Sequence, residues 1–237
     1  MNQKSAVFDT GPIISLTLNN LLWLIKPLKE KFNGEFLITE AVYNELISKP
    51  LATKKYKFEA LQILPLIADG LLTIQKTKEI HDKAIELQEL ANNCFSAHEN
   101  NIKIVHLGEM EALACAILNK SSAIVIDERT TRTLIESPNL LKDILSKKLH
   151  THINVNDDML ERLKKEIGNL PVLRSFELVT IAFEQGMLEQ YMPKKEEKYV
   201  PNIKEAVLEG VLWGIKLNGC SVKREDIDTV MEIQKGL

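Results

Sequence analysis

The stretch Ala6–Leu16, "AVFDTGPIISL", sets three apolar residues ahead of an acid, then a Thr-Gly-Pro turn, then a second apolar run. Residues 5–8 read as a short strand, and the helix-spaced apolar residues between Leu16 and Phe32 read as helix, interrupted at Pro27. Gly11 and Pro12 turn the chain between the two. Asp-Thr-Gly behind an apolar strand is also how the active-site loop of an aspartic protease reads. Asp9 is therefore half of a protease dyad, a metal ligand or a turn residue, and the surrounding fold has to choose.

Working outward, "EFLITEAVYNELI" (35–47) repeats the scheme: a strand at Phe36–Ile38, then a helix over 41–47 with Thr39 as its N-cap. Residues 56–69 and 80–95 read as helices with "LLTIQ" (71–75) as a short strand between them. "GEMEALACAILN" is a compact helix and "AIVIDE" an almost uninterrupted apolar strand. Strands apolar on both faces that alternate with helices imply a parallel sheet covered on both sides, so the fold class is α/β. Aspartic proteases are built of β-sheets, and no second Asp-Thr-Gly occurs, so the protease reading weakens.

Beyond Pro138 the pattern becomes mostly helical, over 139–149, 157–167, 172–188, 203–218 and 224–234, with "THINV" as one possible strand. Asn156 is expected to cap the second of these helices, and Gly219 to stop the fourth. The charged segment "MPKKEEKYVPN" (192–202), which holds two prolines, is the best internal loop or hinge. The expected organisation is residues 1–136 as one domain, with a helical insertion at about 53–104, and 137–237 as a C-terminal extension.

Composition narrows the function classes. The 237 residues are 45% hydrophobic and 27% charged, with a formal net charge of -3, so the chain is globular rather than disordered. Residues 1–136 hold 15 basic and 17 acidic groups and 137–237 hold 15 and 16. Neither half is a basic module, and nucleic-acid binding would have to come from local patches. Cys94, Cys115 and Cys220 lack CxxC spacing and read as buried free thiols in a reducing compartment. No signal-peptide core and no apolar run approaching 18 residues is present, and the expected location is the cytoplasm, away from membranes.

Two strands end alike, "AVFD" at Asp9 and "AIVID" at Asp127. Ligands bind at the carboxyl edge of open α/β sheets, and two carboxylates on neighbouring parallel strands are close enough to share a cation that relieves their repulsion. Glu45 ends the second helix. Glu40, five positions earlier, points about 140° away and suits the helix dipole. Glu109 and Glu111 are two positions apart, so one of them faces such a site, and periodicity leaves open which. His81, His98, His106, His150 and His152 lack HExxH spacing, and neither GxxxxGK[ST] nor GxGxxG occurs, which removes the zinc-protease and phosphate-loop readings.

"VFDTGPIISL", "ITEAVYNEL", "LGEMEALACA" and "VIDERTTR" resemble the four acidic blocks of the PIN-domain nucleases, in matching order, over roughly residues 5–136. The likeness is closest to prokaryotic members whose third block reads Gly-Glu-x-Glu-Ala, where typical toxin ribonucleases have Asp-x-x-x-Ala. "GVLWGIKLNGCSV" (210–222) resembles a tail found in some of them. The resemblance implies a PIN-like parallel sheet flanked by helices and a four-carboxylate site at Asp9, Glu45, Glu109 and Asp127 that holds Mg2+ or Mn2+. It implies an endoribonuclease hydrolysing phosphodiester bonds, either a toxin of a toxin–antitoxin pair or an RNA-processing enzyme. Thr10, Glu128, Arg129 and Arg132 are the expected substrate contacts, and RNA, an antitoxin or other protein, and a second copy of the chain are the expected partners. The competing reading is a catalytically weak RNA-binding scaffold on the same fold.

Overall fold

In the computed structural model, which describes residues 4–192 and 200–235, β1 (Ser5–Phe8) is buried at every position and its neighbours lie on both sides. It leads into α1 (Thr10–Leu18), a 3-10 turn and α2 (Ile25–Phe32). Strand β2 (Glu35–Thr39) leads into α3 (Glu40–Tyr43), a π-helical turn at Asn44–Ser48 and α4 (Lys49–Ala52). Helices α5 (Lys57–Ala68) and α6 (Lys78–Asn92) bracket β3 (Thr73–Gln75). A small hairpin, β4 (Phe95–Ala97) and β5 (Asn100–Asn101), precedes α7 (Leu107–Leu118), β6 (Ala123–Val125) and α8 (Arg129–Glu136). The remainder is α9 (Pro138–Leu149), β7 (Asn154–Val155), α10 (Asp157–Ile167), β8 (Val172–Leu173), α11 (Ser175–Glu184), α12 (Ile203–Leu217) and α13 (Arg224–Lys235).

The main sheet has five parallel strands in the order β3-β2-β1-β6-β8, and β5-β4-β7 form a separate antiparallel sheet. Alternation along the central strands feeds two cores. Ala6, Phe8, Phe36, Ile38 and Val125 pack on one face with Ile13, Leu24, Ile63, Val179 and Leu212. Val7, Leu37, Ile124 and Ile126 pack on the other with Leu87, Leu113, Leu141 and Leu160. A sheet apolar on both faces needs both covers, which is the α/β arrangement its sequence implies.

One strand of the main sheet falls where the sequence pattern reads differently. Residues 172–188 carry a helical pattern, yet Val172–Leu173 form the edge strand β8 beside β6 before α11 begins. Ile126 N–H donates to the Leu173 carbonyl and Ile124 N–H to that of Pro171, so an unpaired sheet edge overrides local propensity. "LLTIQ", read as a short strand within the expected insertion, supplies the opposite edge strand β3. Residues from the last third of the chain share the first core: Phe176, Val179, Leu208, Leu212 and Ile215 are buried in it.

Local signals hold at the helix ends. The Thr39 hydroxyl accepts from the Val42 amide at 3.3 Å and the Asn156 side chain from the Met159 amide at 3.2 Å. Gly219 follows α12 at φ +126°, a conformation side chains rarely adopt. The three cysteines are buried and free. Most of the charged segment 192–202 lies outside the described residues. No described helix is long and apolar enough to cross a membrane.

Gly34 admits β2 beside β1. A Cβ there would lie 2.4 Å from the Lys4 carbonyl oxygen and 2.7 Å from a ring carbon of Phe32. Since the Glu35 amide donates to the same carbonyl at 2.8 Å, that backbone cannot retreat without losing the bond. Gly34→Ala is expected to cost about 2 kcal/mol in urea unfolding, the scale of an overpacked site. Unchanged stability would mean that the strand entry is loose.

Candidate functional site

Asp9 and Asp127 follow neighbouring parallel strands, with Phe8 opposite Val125 and the Asp9 amide donating to the Val125 carbonyl at 3.0 Å. Neither acid is handed to solvent: Asp9 is 8% exposed and Asp127 2%. From this shared edge their side chains enter different surroundings.

Asp9 begins α1. Burial pushes its carboxyl up from 3.8 to about 7; the Thr10 amide works against this, and the charges of Glu109 and Glu45 add to it. Glu45 comes from the π-helical turn after α3. The Thr10 hydroxyl donates to its Oε2 at 2.7 Å, and its Oε1 lies over Gly108 in the first turn of α7. Glu109 projects from that same turn. Its Oε2 accepts from the His106 amide at 3.1 Å and from the Thr131 hydroxyl at 3.2 Å. Burial raises the Glu109 carboxyl, nearby Glu128 raises it further, and the bonds from His106 and Thr131 pull it down. Glu128 caps α8, accepting from the Thr130 and Thr131 amides at 2.7 and 2.6 Å. Thr131 thus links Glu109 to Glu128, a contact with no signal in the sequence beyond its place in "ERTTR".

The choice between Glu109 and Glu111 is made by packing. Glu111 pairs with His81 at 3.0 Å on the far side of α7, and Glu40 pairs with Lys76, so neither joins the group around Asp9.

Asp127 lies on the same sheet edge, with its carboxylate engaged by serine donors. Its Oδ2 accepts from the Ser15 and Ser175 hydroxyls, both at 2.6 Å, and its Oδ1 accepts from the Ser175 amide at 2.7 Å. Its own carbonyl accepts from the Ser221 amide at 3.2 Å, and its charge helps to push the neighbouring Cys220 thiol up to about 12, after burial. The carboxylate ties the end of β6 to α1 and to α11. Ser15 and Ser175 were not legible as functional partners, because Ser175 lies 48 residues further along the chain. Arg129 and Arg132 occupy α8 and face a cavity lined by the C-terminal helices.

Asp9, Glu45, Glu109 and Glu128 are oxygen donors, the set preferred by hard divalent cations such as Mg2+ and Mn2+. Among the described residues no Lys or Arg pairs with Asp9, Glu109 or Glu128. Buried and partly buried carboxylates without a Lys or Arg partner, as Asp9, Glu109 and Glu128 are, are what such an ion neutralises. As the side chains stand, no three His, Cys, Asp or Glu among the described residues are arranged to hold a metal ion. The donor chemistry fits such an ion, while the arrangement as it stands does not enclose one.

Comparison with known proteins agrees with this frame. A family model described as a PIN domain matches residues 5–141, from the first residue of β1 into α9. No curated protein and no solved structure matches the chain. The parallel sheet, the acids at its carboxyl edge and the match over more than half of the chain lead to one assignment: the chain belongs to the PIN-domain family, a nuclease fold whose members are generally metal-dependent.

Proposed function

We propose that this chain is an endoribonuclease that requires Mg2+ or Mn2+, held by Asp9, Glu45 and Glu109, with Glu128 beside them. The observation that carries the reading is Asp9: a buried carboxyl pushed up to about 7, with Glu109 and Glu45 adding their charge and no Lys or Arg paired with Asp9 among the described residues, while Glu45 at the edge of the group lies 4.0 Å from Lys49. When bound, the ion supplies a Lewis acid for the phosphodiester and lowers the pKa of an attacking water. Asp9, on the rigid end of β1, anchors the donor set. Thr10 orients Glu45 and Thr131 orients Glu109, both through hydroxyl donation. Glu45 is half-exposed and turns inward by rotation about its own side-chain bonds. Glu128 keeps lone pairs beyond those its two amide bonds use. Asp127, expected from sequence as a fourth ligand, acts in this proposal as a positioning residue that locks the wall of the site.

One observation favours a second reading, a PIN-fold RNA-binding scaffold without turnover: the acids as they stand are not arranged around one ion. Incubation of a mixed-sequence RNA with the protein in Mn2+, with and without EDTA, separates the two. Cleavage that EDTA abolishes is expected. Intact RNA together with no Mn2+ binding by calorimetry would overturn the nuclease reading.

A further inference from the structure

A cavity of about 530 Å³ lies between α8, the start of α11 and the α12–α13 connection. Six cations line it, Arg129, Arg132, Arg174, Lys216, Lys223 and Arg224, against four acids. Several are already spent. Arg174 holds Glu177 and Asp226, Lys216 donates to the Val222 carbonyl, and Arg224 lies 3.6 Å from Asp228. Arg129 and Lys223 are exposed and form no ion pair among the described residues. Arg132 donates through Nη2 to the Ser221 carbonyl at 3.2 Å, and its buried Nε has no partner. A buried guanidinium donor left unpaired, in a cavity that also holds two cations without an ion pair, is suited to an oxyanion that completes its hydrogen bonds.

Helix α8 connects this cavity to the acids. It turns Thr131 toward Glu109 and starts from Glu128, while Arg129 and Arg132 line the cavity. A helix with its side chains is about 10–12 Å across, so both regions lie within reach of one extended strand. No aromatic side chain lines the cavity among the described residues, so it offers no stacking platform for a base. Phosphate, rather than a nucleoside, is what these walls can recognise.

We infer that this cavity, built jointly by α8 and the C-terminal helices, grips backbone phosphates of the RNA strand next to the acid site. The inference rests on the RNA-binding part of the ribonuclease reading, and it gives the C-terminal extension a share in RNA binding through Lys223 and Ser221. Because phosphates are gripped without base contact, the binding is independent of RNA sequence at those nucleotides.

The test is fluorescence anisotropy of a labelled single-stranded RNA in EDTA, where no metal-dependent cleavage occurs, for wild type and for Arg129→Gln/Lys223→Gln. Both replaced side chains are exposed, and melting curves verify that the fold is kept. The double variant is expected to bind at least about tenfold more weakly, and its log–log salt slope is expected to fall by about 1.4, at about 0.7 per single-strand phosphate contact. In Mn2+ its KM rises while kcat stays near wild type. Equal affinity and equal slope would overturn the inference. Absence of cleavage by a wild type that binds RNA would remove the nuclease reading and leave this one standing.

Discussion

Asp9→Asn is expected to lower RNA cleavage about a thousandfold and, in metal-free buffer above pH 7, to raise the melting temperature. The first effect follows from removing the central negative donor of the proposed ion site, and a thousandfold corresponds to about 4 kcal/mol of transition-state stabilisation. The second follows from linkage. Folding raises the Asp9 pKa from 3.8 to about 7, so between those values the folded chain holds a proton that the unfolded chain has lost. Stability therefore falls as pH climbs from about 4 to about 7 and levels off above it, by up to roughly 4 kcal/mol from the 3.8-to-7 shift. Asn keeps the shape and never ionises, so the variant escapes this loss. Added Mn2+ is expected to raise the melting temperature of wild type and to leave that of the variant unchanged. Undiminished cleavage would take Asp9 out of the chemistry, and a lower melting temperature in EDTA at pH 8 would show that its ionised form supports the fold.

Asp127→Ala is expected to cost about 3–4 kcal/mol in urea unfolding, whatever happens to activity. The substitution strips acceptors from the Ser15 hydroxyl and from both donors of Ser175, all of them buried, and bonds to a carboxylate are worth about 1.5–3 kcal/mol each. It also releases β6 from α11, two elements that meet only through the fold. Asp127→Asn retains the Oδ1 bond to the Ser175 amide and can donate to the two hydroxyls, so its expected cost is about 1 kcal/mol. Mn2+ affinity of the Asn variant is expected to stay within about tenfold of wild type, the lower end of what altering a ligand's support does. A much larger loss of affinity at unchanged stability would return Asp127 to the metal shell.

Much of the architecture could be read from the chain because its signals are local. "AVFD" and "AIVID" are too apolar to face water on either side, which calls for a sheet covered twice, while their pairing as neighbours is seen only in the fold. Thr39 and Asn156 announce helices through hydroxyl and amide groups that reach only three residues on. Val172–Leu173 read as helix because the reason they are extended, the open edge of β6, lies 48 residues away. Among the acids, Asp9 and Asp127 looked equivalent, each a carboxylate at the end of an apolar strand. Periodicity also left Glu109 and Glu111 equal, until His81 on α6 took one of them.

By itself the sequence determined the layered α/β fold, the family resemblance and the short set of carboxylates from which any site must be drawn. These depend on hydrophobic period and on residue order, both written along the chain. Only the tertiary structure decided the direction of each carboxylate. A side chain's partners, such as Ser175 for Asp127, Thr10 for Glu45 and Thr131 for Glu109, come from other elements. The same holds for the cationic cavity: Arg129 and Lys223 are 94 positions apart and share a wall because the α12–α13 connection lies against α8, where Arg132 reaches the Ser221 carbonyl. Burial and long-range hydrogen bonds set the charge state and aim of a group, and neither exists until the chain has folded.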